Sequence, residues 1–363
     1  MVAISIRDLT KPEPPPRRLM TDWRRYAALP EEELAKTNLC FLNLVCSLGL
    51  PGSEGIDLHE AIKTLEIWAQ IVERWTTTAR IEYFLKDPAQ FQNSEAFFRC
   101  VSLIIALQRH CNVRYDERKI GLGPDAPFEF DDYFVRGVLA GDKGTCATLP
   151  IIYATIGRRL GYPIKLVCAK RHLFCRWDDP TSGTRINIEG ASEGFNSYED
   201  QHYLSWPAPI RLDEETRFGY LQSLTPSEEL ALFISSRAAF LEDRLCFREA
   251  ANAYAVADGL DLKTARCSSS LLDCLRQWRA HLQTRFPPGL PKFFVEARPH
   301  LRKWHSLIPW EVEREFAALE GLESMMDDSQ KDHDWWHPMR HGLPPLRPLP
   351  VELVYCYPQP EAP

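Results

Sequence analysis

The sequence predicts an α+β fold, in which helices surround a small antiparallel sheet. Three observations predict it. Apolar residues recur at helical spacing from about Pro30 to Arg114. Strand-like runs broken by turn residues lie between residues 164 and 190. After Pro207 and Pro209 helical periodicity returns and continues to about Gln283. The 363 residues suffice for about two to three domains and a core that needs no disulfide staple. With 45% hydrophobic and 26% charged residues, wholesale disorder is excluded. The net charge of −7 argues against a generic binder of nucleic-acid backbone.

Proline placement divides the chain. Of 28 prolines, four fall in residues 12–16 and thirteen in residues 286–363. Residues 1–30 are therefore expected as an extended tail and 286–363 as a Pro/Trp-rich tail. Residues 31–140 read as helical. One helix is expected from Asp57 to Val72, with Leu58, Ile62, Leu65, Trp68 and Ile71 on one face, Asp57 as cap and Glu60 completing the start signal. Another covers about 94–110, with Phe97, Val101, Ile104 and Leu107 aligned. Glycine and proline break the chain at 121–127, and an acidic-aromatic stretch runs from Phe128 to Phe134. A central core is expected over 141–212. It opens with a helix from about Pro150 to Leu160, stopped by Gly161 and Pro163. Strands follow at Ile164–Ala169, His172–Trp177 and Thr184–Gly190, and residues 213–285 return to helices.

No apolar run approaches the roughly 20 residues of a membrane span, and the first residues lack the apolar centre of a secretory signal. A cytoplasmic location without membrane association is the expectation. Eleven cysteines occur without a C-x-x-C pair, so neither zinc ligation nor a dithiol redox centre is signalled, and no cofactor is expected. Free thiols inside apolar patterns behave as small core residues. This suits Cys168 and Cys175, but not Cys146.

Cys146 lies at a loop-to-helix junction, where free backbone N–H groups and the positive helix end favour a thiolate. Lys143, Lys170 and Arg171 are available to add positive potential. Pro150 would fall four residues into a helix begun at Cys146, so either the first turn is distorted or the regular helix starts nearer Thr148. His172 begins the following strand. A cysteine nucleophile needs an imidazole to accept its proton, and the imidazole needs a third group to fix its tautomer. Arg185, Asn187 and Glu189 share one strand face and supply that group. A four-residue loop at 178–181 would set His172 opposite Asn187, and a six-residue loop at 178–183 would set it opposite Glu189. Gly183, which readily takes a positive φ, favours the longer loop.

These residues resemble the transglutaminase-like superfamily of papain-fold cysteine enzymes. The resemblance rests on Gly144-x-Cys146, Arg158-Arg-Leu-Gly-Tyr-Pro163, His172-Leu-Phe and Asn187-Ile-Glu189, and covers roughly residues 60–285. It implies a papain-like core, with Cys146 as nucleophile, His172 as base and an aspartate on the next strand orienting the imidazole. Asn187 stands where the family carries that aspartate, and papain-like proteases use asparagine there. The implied activity is a cysteine hydrolase or acyltransferase acting on amide bonds through a thioester, with the Cys146 N–H as oxyanion donor. The expected partner is a protein or peptide substrate. More closely, the chain resembles a bacterial group with trailing tetratricopeptide-like helices. Ala238, Leu241, Ala250, Tyr254 and Ala257 fall at that repeat's small and aromatic positions, although Leu262 replaces its usual proline. The alternative is a non-catalytic member that uses its helical part and tail to bind a protein partner.

Three further features read as structural. Gly141-Asp-Lys-Gly-Thr145 lacks the Gly-Lys-Ser/Thr of a phosphate loop. His202 could line the cleft, but a loop histidine is more often solvated. His333, His337 and His341 recur every four residues, but Pro338 interrupts the helix a metal site would need, so no metal is expected.

Overall fold

The computed structural model describes residues 21–120, 128–191, 193–285, 319, 321 and 322. The chain divides into two compact units, Met1–Leu319 and Glu320–Pro363. The site lies in the first. The 333–341 histidines and Cys356 lie outside the described residues.

The expected extended tail over residues 1–30 is corrected at Trp23–Ala27, a short helix capped by Asp22 with Trp23 and Tyr26 buried, whereas the longer helices at 57 and 94 start where expected. Helix α1 (Leu39–Ser47) starts at Asn38, whose side chain accepts from the Phe41 N–H. Helix α2 (Leu58–Arg74) starts at Asp57, which accepts from the His59 and Glu60 N–H groups. Helix α3 (Glu95–His110) is capped by Ser94. Helix α4 (Leu149–Arg159) crosses the centre, and all its residues from Leu149 to Gly157 are buried. A helix buried all round belongs inside a protein. Cys40 on α1 donates its backbone N–H to Thr155 of α4, and Arg159 pairs with Glu66 of α2 at 3.1 Å.

The sheet is an antiparallel meander, β1 (Ile164–Ala169), β2 (His172–Asp179) and β3 (Thr184–Ile188), in the order β1-β2-β3. A two-residue turn joins β1 to β2, with Ala169 opposite His172 and Arg171 at φ 65°. A side chain in that left-handed region costs roughly 1–2 kcal/mol. Strain is thus stored one residue before His172.

The β2–β3 register corrects both loop alternatives. Asp179 pairs with Thr184 and Arg176 with Asn187, so the loop is residues 180–183. Strand β2 runs two residues past Trp177 before turning. Pro180 has no N–H to give a ladder and starts the turn. Asp179 then holds it, accepting from the Thr181 N–H at 2.9 Å and the Ser182 hydroxyl at 2.7 Å. Gly183 does take a positive φ, 69°, but within a four-residue loop.

One face of the sheet packs on α4, where Trp177 meets Tyr162 at 5.3 Å between ring centroids and the Cys175 thiol meets the Pro150 carbonyl at 3.0 Å. The other face carries Val167, Ala169 and Phe174, covered by Tyr203 and Leu221. The free edge of β1 is closed by the Leu221 and Leu224 N–H groups, each 2.9 Å from a β1 carbonyl.

Beyond the short helix α5 (Asp200–Tyr203) come α6 (Pro226–Glu242), α7 (Phe247–Asp258) and α8 (Arg266–Arg285). Pro226 begins α6 inside a Thr225/Glu228 capping box. Arg158 of α4 grips buried Glu229 of α6 with both terminal guanidinium nitrogens, Nη1 and Nη2. Arg237 of α6 donates to the Cys46 and Leu48 carbonyls at the end of α1. Ala238, Leu241, Ala250, Tyr254 and Ala257 are all buried. This helical part is therefore fastened to the core that carries the sheet.

Candidate active site

Cys146 sits in the turn that leads into α4. The Thr145 carbonyl accepts from the Thr148 and Leu149 N–H groups at 3.2 and 3.0 Å, while Thr145 Oγ1 accepts from the Ala147 N–H. The Thr145 N–H in turn donates to Thr148 Oγ1 at 2.9 Å. The turn is thus braced by threonines, and regular helix begins at Leu149 with Pro150 in its first turn. Proline is tolerated there because the first-turn N–H groups have no intrahelical acceptor. Upstream, Gly144 exchanges hydrogen bonds with the segment around Tyr115, through Asp116 N–H and Arg114 C=O, both at 2.8 Å.

The Cys146 thiol is hydrogen-bonded to the His172 ring. His172 is 7% exposed, and its Nε2 lies 2.7 Å from Glu189 Oε2. Because the carboxylate only accepts, it places a proton on Nε2 and leaves Nδ1 for the thiol. Glu189 is 3% exposed and takes two further donors, the Tyr203 hydroxyl on Oε2 at 3.3 Å and the Ala191 N–H on Oε1 at 2.8 Å. The β2–β3 register explains its reach. Cys175 pairs with Ile188, so Glu189 follows opposite Phe174, diagonal to His172 on the same face.

Asn187, the other residue expected to orient the ring, is not brought to it. It lies opposite Arg176, accepts from Arg176 Nε at 2.7 Å, and donates to the Tyr198 carbonyl and Asp200 Oδ1, both at 2.8 Å. The two-residue extension of β2 moves Asn187 away from His172. The expected basic surround also differs. Lys143 pairs with Glu117 at 3.5 Å and Lys170 with Glu214 at 2.9 Å.

Electrostatics favour a proton on the ring. Burial alone pulls His172 down, but its hydrogen bonds with Cys146 and Glu189, together with their charges, more than offset it and hold the ring up at about 9. Tyr115 is pushed up to about 12, by burial first and then by the nearby Cys146 charge. All ten described cysteines are free thiols. Of the half-exposed ones besides Cys146, burial pushes Cys111 up to about 12 and also raises Cys246. Cys168 and Cys175 are buried and likewise raised.

Aromatic rings border the imidazole. Trp206, 42% exposed, meets His172 edge to face at 4.9 Å, and His202 lies between Tyr198 at 4.3 Å and Trp206 at 5.3 Å. His202 thus belongs to the wall beside the site. Tyr115, Tyr203 and Trp206 carry no local motif. Only the folded chain brings them to the Cys146–His172 pair. Among the described residues, no cluster of His, Cys, Asp or Glu is placed to hold a metal, and no helix is long and apolar enough to cross a membrane.

Gly190 sets the position of Glu189. A Cβ there would lie 2.0 Å from Tyr153 Cε2, and Tyr153 is wholly buried on α4. The Gly190→Ala variant is expected to lose about 1–3 kcal/mol of stability. It should also slow covalent labelling of Cys146 about tenfold, because the strand end that carries Glu189 must shift. Chemical denaturation and labelling rates measured together check this, and an unchanged labelling rate would show that Glu189 does not depend on this close approach.

A thiol before a buried helix, an imidazole from the adjoining sheet and a carboxylate behind the ring are thus brought together. Residues 71–227 match the family model of the transglutaminase-like superfamily, a stretch that contains Cys146, His172 and Glu189. This stretch is similar to transglutaminase-like domains. No curated protein and no solved structure matches the chain.

Proposed function

We propose that the chain is a cysteine hydrolase or acyltransferase that acts on amide bonds of a protein or peptide. The observation that carries the reading is the half-exposed Cys146 beside the buried His172–Glu189 pair, with His172 Nε2 held 2.7 Å from Glu189. Cys146 Sγ attacks the amide carbonyl carbon and a C–S bond forms. The carbonyl oxygen becomes an oxyanion, and the Cys146 N–H, at the positive helix end, donates to it. His172 gives its proton to the amide nitrogen, the C–N bond breaks and an amine leaves. Water or a second amine then attacks the thioester carbonyl carbon and loses a proton to His172, the C–S bond breaks, and a carboxylic acid or a new amide departs, leaving Cys146 as thiolate beside the protonated ring. Glu189 orients the imidazole throughout and stabilises it when charged. Asn187 has no part in these steps, because Arg176, Tyr198 and Asp200 occupy its amide.

The test is an electrophilic peptide probe that mimics a reacting amide. It is expected to form one adduct, mapped to Cys146 by mass spectrometry and absent from Cys146→Ala and His172→Ala. Absence of the Cys146 adduct in the unmodified chain would leave a transglutaminase-like fold used as a binding scaffold.

A further inference from the structure

The oxygen of Glu189 that meets His172 is shared. Oε2 takes the imidazole Nε2 at 2.7 Å and the Tyr203 hydroxyl at 3.3 Å. Tyr203 has no exposed surface, and its ring lies flat on Phe174, with centroids 4.1 Å apart and planes 2° from parallel. It ends the single-turn helix α5, which begins at Asp200. The fully buried Arg176 holds that beginning. Its Nη2 bonds Asp200, its Nε bonds Asn187, and its Nη1 reaches the Leu221 carbonyl at 2.7 Å. The arginine and asparagine beside the site thus serve to hold α5 against the sheet, with the Tyr203 hydroxyl aimed at Glu189.

A carboxylate oxygen with two donors offers each less negative potential than it would offer one alone. We infer that Tyr203 is a positioning residue for the His172–Glu189 pair: its hydroxyl fixes the carboxylate and limits how firmly the imidazole keeps its proton. The Arg176–Asn187–Asp200 clamp acts through it. The catalytic meaning of this inference rests on the cysteine-enzyme reading, in which His172 must both hold a proton and give it to a leaving amine.

Several groups face the pair. Cys146 comes from the turn before α4, Tyr115 from the segment beside Gly144 and Tyr153 from α4, while Cys175 of β2 feels the Glu189 charge from the α4 side of the sheet. Tyr198 and His202 flank Tyr203, and Arg176 acts on it from β2. Burial pushes Tyr115, Tyr153, Cys175 and Tyr203 upward, so these four keep their protons while the ring titrates.

The experiment follows His172 by NMR of its imidazole across pH in the full chain, with Cys146→Ser removing the thiol titration. Four proteins are compared: this background, and the same with Tyr203→Phe, with Glu189→Gln, and with both. Tyr203→Phe keeps the ring stacked on Phe174, and the other histidine signals report that the fold is retained. The expected result is an upward shift of the His172 midpoint by about 0.5–1 unit on losing the hydroxyl. That shift should vanish when Glu189 is already glutamine. An unchanged or lowered midpoint, or an equal shift in both backgrounds, overturns the inference. If the unmodified chain shows no preferential labelling at Cys146, the enzyme reading falls, yet this titration still decides the role of Tyr203.

Discussion

Iodoacetamide at about pH 6 is expected to alkylate Cys146 about 100-fold faster than any other described cysteine, and His172→Ala is expected to remove that excess. The background carries Cys356→Ser, since that thiol lies outside the described residues. The reason is the proton inventory of the site. His172 loses stability as a cation through burial but gains more from Glu189 and Cys146, so the ring stays charged up to about pH 9. Alkylation of a cysteine needs the sulfur to give up its proton, and His172 is the base beside this sulfur that can exchange one with it. The other cysteines lack this partner, and burial raises those at 40, 46, 100, 111, 168, 175, 246, 267 and 274. The same coupling appears in stability. A histidine whose folded value is raised contributes fully below its unfolded value near 6.5, and the contribution disappears as pH rises through about 9. Stability is therefore expected to decline across that interval, and the decline should flatten in Glu189→Gln. Peptide mapping of alkylated cysteines, read as rate against pH, checks the reactivity. Equal rates at all exposed thiols would refute the paired site.

The largest stability loss is expected from Glu229→Ala. Glu229 of α6 is 1% exposed, and Arg158 of α4 reaches it with Nη1 at 2.9 Å while its Nε holds the Ile164 carbonyl at 2.6 Å. Removing one partner leaves a largely buried guanidinium without its counter-charge, which costs about 3–5 kcal/mol. In contrast, Asp213→Ala breaks the exposed Arg211–Asp213 pair, 3.0 Å apart, and is expected to leave stability nearly unchanged. Equilibrium denaturation of the two variants side by side checks the prediction. Similar losses would show that the Arg158–Glu229 contact does not join the sheet-bearing core to the C-terminal helices. This pair also explains part of the Arg158-Arg-Leu-Gly-Tyr-Pro163 motif. Arg158 and Arg159 fasten α4 to α6 and α2, and Tyr162 packs on Trp177, so the motif's basic residues are structural.

The helices and strands were legible because their signals are local. Asp57 and Ser94 cap the helices their sequences announce, and the apolar runs at 164–169 and 172–177 become β1 and β2. Cys146 and His172 stood out for the same reason, one at a junction and the other at a strand start. The third residue did not, because hairpin register depends on where the turn closes. Asp179 and Pro180 closed it two residues later than either alternative allowed. That displacement gave Asn187 to Arg176 and left Glu189 diagonal to His172.

By itself, then, the sequence determined the α+β element order and singled out Cys146 and His172, since capping, periodicity and residue chemistry act over a few neighbours. Only the tertiary structure decided that Glu189 meets the imidazole, that Tyr203 shares its oxygen and that Arg158 joins two layers. Those contacts link residues 14 to 71 positions apart, and their geometry follows from how whole elements pack, which no local pattern records.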